Sequence, residues 1–131
     1  MHQQPPQATP EQEGKIQMTK KAYLKAQSKD WKNAKQQWKE LLQILHENYK
    51  IKQEGNNEIF LNVPKQSEAD IEIFLIGKGS LEKYHVQLWN YVFEGENQMR
   101  SKRLYTLTGV INYVDSLLEA VRMNEKMKKL G

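Results

Sequence analysis

The sequence contains no cysteine and only three histidines, at positions 2, 46 and 85. The absence of cysteine excludes disulfides and thiolate metal sites, and it is typical of a protein in a reducing compartment. Histidines this few and this scattered do not indicate a zinc site, so we expect no metal and no cofactor. No apolar run approaches the length of a membrane span, and we therefore expect no membrane partner.

The first 14 residues are poor in apolar side chains and rich in Gln and Pro. They show neither the apolar core of a signal peptide nor the Arg-rich amphipathic pattern of a transit peptide. Residues 1–8 are therefore predicted to be a disordered tail. These features indicate a nuclear or cytoplasmic protein, with the nucleus favoured.

The formal net charge of +4 is distributed unevenly along the chain. Residues 15–53 hold ten Lys and three acidic residues, whereas residues 54–98 hold three Lys and eight acidic residues. Residues 99–131 are basic again, with seven Lys or Arg and three acidic residues. This asymmetry suggests either a polyanionic partner or self-association between oppositely charged segments.

Residues 9–53 are predicted to form a basic arm of two helices. Thr9 is a suitable N-cap for the first helix, which is expected to end at Ser28, and Asp30 is a suitable N-cap for the second. The second helix has the clearest pattern in the chain, because apolar residues recur at steps of three and four. These residues are Trp31, Ala34, Trp38, Leu41, Leu42, Leu45 and Tyr49.

Residues 58–131 are predicted to form an α+β module. Two strands are expected at residues 58–63 and 69–76, the second of them central because it is apolar on both faces near its end. A helix is expected within residues 80–93, with Leu81, Tyr84, Leu88 and Tyr91 or Val92 on one side, although the aromatic and β-branched residues of this stretch would also suit a strand. A short strand before residue 108 and a final helix from Gly109 complete the module. A strand, a glycine turn and a helix thus occur twice, at residues 71–93 and 104–124.

This doubled unit resembles the Alba superfamily, which comprises small archaeal chromatin proteins, their plant and protist relatives, and the Alba-type subunits of RNase P and RNase MRP. The resemblance covers about residues 70–124. It rests on Ile76-Gly77-Lys78, on Tyr84 six residues beyond Lys78, and on a second set of residues in the final unit. That set is Gly109, Ile111, Val114, Leu118 and Val121.

The resemblance implies a four-stranded sheet with two helices, a homo- or heterodimer, and nucleic acid held by basic loops and the end of the sheet. Of the contacts that it implies, only Lys78 has a counterpart in this chain. The expected fold is therefore an Alba-like βαβα module with residues 58–63 as an extra N-terminal edge strand, preceded by the basic two-helix extension.

The glycine loop Gly77-Lys78-Gly79-Ser80 does not have the spacing of a nucleotide site. A P-loop needs an earlier Gly and a Lys next to Ser or Thr, and a dinucleotide-binding loop needs three glycines. Two interpretations stay open. The backbone N–H groups of a following helix and Lys78 could bind one nucleic-acid phosphate, or the glycines could only permit a tight turn.

Basic residues supply the candidate nucleic-acid contacts. They lie in the arm, in the glycine loop and before the last strand, and are Lys21, Lys25, Lys29, Lys32, Lys35, Lys78, Arg100, Lys102 and Arg103. Lys39 continues the spacing of the arm lysines. The alternative is that these residues are solvated, since charged helix faces usually are. Trp31, Trp38 and Leu45 are either a protein interface or, more often for such a pattern, a helix-docking core.

No nucleophile, paired-carboxylate or metal pattern indicates catalysis, so we expect a protein that is not an enzyme and has no small-molecule substrate. The predicted function is that of an accessory subunit that binds DNA or RNA mostly through phosphate contacts. It would act in a ribonucleoprotein, a chromatin complex or a nucleic-acid-modifying enzyme such as a DNA methyltransferase. One alternative is an interaction subunit that uses the Trp/Leu pattern and a sheet edge. Another is that the basic arm reads DNA like a helix-turn-helix.

Overall fold

The computed structural model describes residues 20–77, 80–97 and 100–130, with side chains from residue 31 onward. Two helices and five strands follow one another as α1 (Lys20–Asn48), β1 (Ile51–Gly55), β2 (Glu58–Val63), β3 (Gln66–Leu75), β4 (Tyr84–Trp89), β5 (Ser101–Leu104) and α2 (Leu107–Leu130). The predicted α+β class is confirmed. The predicted tail, the Thr9 cap and Lys78 lie outside the described residues.

The five strands form one antiparallel sheet in which the order in space is the order in sequence. Two-residue turns join the first three strands, Asn56-Asn57 between β1 and β2 and Pro64-Lys65 between β2 and β3. Asn57 and Lys65 take positive φ angles of 58° and 63° in these turns. The third strand, β3, is the middle of the sheet, and its predicted central position is confirmed.

One face of the sheet and both helices share a single core. The buried side chains alternate along β2, β3 and β4, as expected for strands with one face packed. The helices contribute Ala34, Trp38, Leu41 and Leu45 from α1, and Val110, Val114, Leu117 and Val121 from α2.

Two contacts show that the helices lie on the same side of the sheet. The Trp38 ring stacks on Tyr84 of β4, with ring centroids 6.4 Å apart. The Tyr49 hydroxyl, just beyond α1, donates a hydrogen bond of 2.5 Å to the Asp115 carboxylate of α2. The other face of the sheet is covered by no element in the part of the chain that the structure describes.

The predicted division of the arm into two helices is wrong. Helix α1 runs from Lys20 to Asn48 without a break, so Asp30 lies inside it and does not cap a second helix. Ser28 and Asp30 have only modestly unfavourable helix propensities, which a long helix tolerates. The arm also ends earlier than predicted, because residues 51–55 form strand β1.

The predicted helix within residues 80–93 is wrong, and with it the βαβα order. Residues 84–89 form strand β4. Tyr84 and Leu88 are four residues apart, a spacing that puts them on one side of a helix and equally on one face of a strand. Val86 decides between the two, because it lies between them and is buried, while Leu81 is exposed.

Strand β2, predicted as the edge, is internal because β1 pairs with it on its outer side. The final helix is confirmed, although it begins two residues earlier than predicted, at Leu107. The Thr106 hydroxyl caps it by accepting a hydrogen bond of 3.0 Å from the Gly109 N–H.

Candidate functional site

The lysine side of α1, which we define as Lys32, Lys35 and Lys39, carries three basic residues at helical spacing. Lys32 and Lys39 are exposed on the opposite side of the helix from Ala34 and Trp38, whereas Lys35 is half-buried at the border of that side. The Lys35 ammonium donates a hydrogen bond of 2.5 Å to the Asn57 side-chain oxygen in the β1–β2 turn. Neither Lys32 nor Lys39 pairs with another described residue, so both can bind an anion.

The predicted residues Lys21, Lys25 and Lys29 lie in the first ten residues of α1, where the structure describes the backbone only. Because α1 is one helix, the steps of four and seven residues that join positions 21, 25, 32 and 39 place them along one side of it. Those positions span 18 residues, or about 27 Å at 1.5 Å per residue.

The predicted trio Arg100, Lys102 and Arg103 does not form one cluster. The Arg100 guanidinium lies 3.9 Å from the centroid of the Phe93 ring and pairs with Glu96 at 3.1 Å. Lys102 and Arg103 are exposed neighbours in β5, so they point to opposite faces of the sheet. Lys102 lies on the helix side, 5.8 Å from the Tyr113 ring centroid, and Arg103 on the uncovered side.

The glycine loop is not followed by a helix. Residues 80–83 connect β3 to β4 without helical structure, so the predicted phosphate site at a helix N-terminus is wrong. Lys78 itself lies outside the described residues. What remains at this point of the chain is the connection between two antiparallel strands, in which Gly77 is exposed.

The predicted interface residues Trp38 and Leu45 belong to the core of this chain. Trp38 is 4% exposed and Leu45 is fully buried, so neither is available to a partner. Trp31 is half-buried and packs against the same core. The apolar side of α1 thus docks the helix on the sheet, as the alternative interpretation predicts.

The uncovered face of the sheet was missed by sequence reasoning, and it carries an unusual set of side chains. Its residues face one another across the strands in three rows. We call it the open face and define it by Glu58, Phe60, Asp70, Glu72, Phe74, His85, Gln87 and Trp89. The first row runs Glu58–Phe74–His85–Arg103, the second Phe60–Glu72–Gln87–Ser101, and the third Asn62–Asp70–Trp89.

Glu72 lies at the centre of the open face. It is only 8% exposed, although no described element covers the face. Its carboxylate accepts a hydrogen bond of 2.8 Å from the Trp89 indole N–H. A hydrogen bond between Glu58 and Glu72, followed by burial and charge repulsion from Glu72, raises the pKa of the Glu58 carboxyl. Glu58 therefore keeps its proton to a higher pH than an isolated carboxyl does.

His85 occupies the next row of the open face. Its ring meets Phe74 edge to face, with centroids 5.0 Å apart. Burial and the nearby Arg103 guanidinium lower the pKa of His85, and they outweigh Glu72 and Glu82, which act in the other direction. His85 is therefore neutral at pH 7 and adds no positive charge to the face.

The open face has an excess of negative charge. Glu58, Asp70 and Glu72 belong to it, and Glu68, two residues before Asp70 on β3, extends it. Two cations oppose these carboxylates and are fewer than they are: the Lys52 ammonium, held by the Asp70 carboxylate at 2.5 Å, and Arg103 at the end of the first row. The face is thus both acidic and aromatic, which suits a cationic partner and disfavours nucleic acid.

The side chains of residues 84–89 alternate in character with a period of two, which is typical of a strand. This pattern in the sequence could have revealed the open face. One face of this strand carries Tyr84, Val86 and Leu88. The other face carries His85, Gln87 and Trp89, which lie beside Glu72 and Phe74 of β3. The pairing of Glu58 with Glu72 could not be foreseen, since it depends on the register between strands.

A cavity of about 520 Å³ lies elsewhere, between the β2–β3 turn and α2. Pro64, Leu118 and Val121 give it apolar walls, and charged residues of both signs line its rim. The Arg122 guanidinium pairs there with Glu119 at 2.6 Å. The cavity contains none of the predicted contact residues.

Among the described residues, no group of three or more His, Asp or Glu side chains is placed to hold a metal ion. Neither described helix is long and apolar enough to cross a membrane. No protein-family model, curated protein or solved structure matches this chain.

Proposed function

We propose that this protein is a non-catalytic accessory subunit that binds DNA or RNA through the lysine side of α1. The observation that carries the proposal is that Lys32 and Lys39 are exposed on the side of α1 opposite its buried residues and pair with no other described side chain. Positions 21 and 25 continue this line on the same helix. A row of lysines on one helix side contacts phosphates and carries little sequence information.

The charge distribution over the fold also supports α1 as the surface that binds nucleic acid. The open face on the far side of the sheet is acidic, so a polyanion is repelled there and attracted to α1. The host complex is a ribonucleoprotein, a chromatin complex or a nucleic-acid-modifying enzyme, and a nuclear location follows from such a partner.

A salt titration tests this proposal. Binding to a 20-base-pair DNA duplex and to an RNA hairpin is measured by fluorescence anisotropy between 25 and 200 mM salt, concentrations chosen to span low to physiological ionic strength. Four phosphate contacts from positions 21, 25, 32 and 39 give a slope of log K against log salt of about −3.6 on duplex DNA. Absence of binding to either probe at the lowest salt would refute the proposal.

A matched pair of variants locates the contact. Lys32→Glu with Lys39→Glu removes two of the four phosphate contacts, so the slope falls by about 2 and affinity at low salt drops at least tenfold. Lys126→Glu with Lys129→Glu makes the same change of charge on exposed residues of α2. Equal losses from both pairs would mean that net charge, and not the lysine side of α1, governs binding.

A second candidate function is that of a protein-interaction subunit, and the open face favours it. Phe60, Phe74 and Trp89 are half-buried on a face that no described element covers. A sheet face exposed to water is normally polar, so three aromatic side chains around a buried carboxylate indicate a docking surface. This function does not exclude the first, because the two surfaces lie on opposite sides of the molecule.

A further inference from the structure

We propose that the open face binds the basic first half of α1 from a second copy of this chain, so that the protein self-associates through its own charge asymmetry. The inference assigns an occupant to a face that no described element covers. It does not require nucleic-acid binding, although it uses two positions, Lys21 and Lys25, that the proposed function also assigns to phosphate contacts.

The chemistry of the open face defines the occupant. Its carboxylates attract cations, and its aromatic rings favour groups that can pack on a flat apolar surface. A lysine side chain meets both needs, since its aliphatic stem packs on a ring while its ammonium reaches a carboxylate. Glu72 is held in place by Trp89 at 2.8 Å, which gives the face one fixed negative group at its centre.

The same chain contains a segment of this chemistry. Residues 20–29 form the first part of α1 and hold four lysines and no acidic residue, together with Tyr23 and Leu24. The first residue of α1 that the structure shows to be buried is Ala34. Fourteen residues of helix precede it, a length of about 21 Å.

This segment cannot reach the open face of its own chain. Helix α1 packs on the opposite face of the sheet through Trp38 and Leu41, and it continues as one helix to Lys20. To reach its own open face it would have to break and turn around the edge of the sheet. A second copy therefore has to supply the segment. Reciprocal exchange between two copies gives a closed dimer.

Charge-swapped variants test the inference in the full-length protein. The face variant carries Glu58→Lys and Glu68→Lys, and the arm variant carries Lys21→Glu and Lys25→Glu. Each variant alone opposes like charges and is expected to be a monomer. A mixture of the two restores opposite charges at both contacts, so a heterodimer is expected. A control variant with Glu47→Lys and Glu94→Lys makes the face variant's change of charge at exposed residues away from the open face.

Masses are measured by analytical ultracentrifugation at 50 and 500 mM salt, concentrations chosen to leave charges weakly and strongly screened. The natural sequence and the control are expected to dimerise at low salt, and the dissociation constant should rise about tenfold or more at high salt. A monomer at both salts overturns the inference, as does a face variant that still dimerises or a mixture that forms no heterodimer. Circular dichroism confirms that each variant is folded.

The test of self-association can be distinguished from the test of nucleic-acid binding. The face variant retains every lysine of α1, so its affinity for duplex DNA should be unchanged or higher, while its self-association is lost. Loss of dimerisation with intact DNA binding in this variant supports the inference. Loss of DNA binding by Lys32→Glu with Lys39→Glu tests the other proposal alone.

Discussion

At the scale of single residues, the environment of Glu72 is the least expected feature of the molecule. A carboxylate that is 8% exposed normally needs a cation or several donors, and here the Trp89 indole N–H donates to it while Glu58 lies beside it. The environment of Glu72 therefore depends on neighbours from the two adjacent strands, β2 and β4.

Replacing Trp89 by Phe is expected to destabilise the protein by about 1–3 kcal/mol, because it keeps an aromatic ring and removes the donor to a buried charge. Urea unfolding measures the change. Trp31→Phe is the matched control, since the Trp31 indole donates no hydrogen bond to any residue whose side chain the structure describes. Equal losses in the two variants would mean that ring size, and not the hydrogen bond to Glu72, matters at position 89.

Glu58→Gln is expected to raise the melting temperature at pH 7 by about 2 °C and to have no such effect near pH 4. The raised pKa of Glu58 means that the folded protein holds this proton more tightly than the unfolded chain. The associated stability is present below the ordinary carboxyl pKa and is lost as pH rises through the raised value. Gln is neutral throughout and avoids this loss.

Thermal melts between pH 4 and 8 measure the effect of Glu58→Gln. Glu94→Gln, at an exposed carboxyl in the β4–β5 connection, is the control. A stability gain that does not depend on pH would contradict the explanation by the raised pKa of Glu58.

Lys65→Gly is expected to stabilise the protein by about 0.5–1 kcal/mol. Lys65 has a φ of 63° in the Pro64-Lys65 turn, a conformation that costs a residue with a Cβ about 1–2 kcal/mol and costs Gly nothing. Part of the gain is offset by the larger entropy of Gly in the unfolded chain. Asn90→Gly is the control in chemical denaturation, because Asn90 has a φ of 59° and Asn already tolerates it.

At the scale of elements, β2, β3 and α2 could be predicted, and α1 and β4 could not be predicted in full. The first group has one unambiguous period, two in the strands and between three and four in the helix. In β4 the spacing of Tyr84 and Leu88 fits both periods. In α1, the polar residues around Asp30 have the sequence pattern of a helix N-cap. The helix nevertheless continues through Asp30, because residues further along it pack on the sheet.

The docking of α1 on the sheet gives a prediction at this scale. Trp38→Ala is expected to cost about 3–5 kcal/mol, since Trp38 is 4% exposed and stacks on Tyr84. Trp31→Ala deletes the same side chain at a half-buried position seven residues earlier and should cost less than half as much. If the two losses in urea unfolding were similar, the helix would not be anchored at Trp38.

At the scale of the whole molecule, α1 and the sheet belong to one core, whereas the sequence suggested an arm over residues 9–53 and a module over residues 58–131. The residue pattern shows that α1 has an apolar side and leaves open what covers it. Only the fold shows that the sheet does. The sequence did not reveal the open face for the same reason, because its residues come from three strands and no single stretch of sequence contains them.

The shared core predicts a single cooperative unfolding transition. Tryptophan fluorescence, which reports Trp31 and Trp38 on α1 and Trp89 on β4, and far-UV circular dichroism should give the same midpoint in urea. Two separate midpoints would instead favour an arm that unfolds independently of the sheet.

The order of the strands also has a consequence for how the chain folds. Every strand pairs with the next one in sequence, so each addition to the sheet closes only a short loop. Such local pairing favours rapid folding from one edge to the other, in the order in which a ribosome delivers the chain. Helix α2 arrives last, and until it docks the apolar side of β4 and β5 is exposed. A nascent chain that pauses before Leu107 is therefore the species most exposed to chaperones and to aggregation.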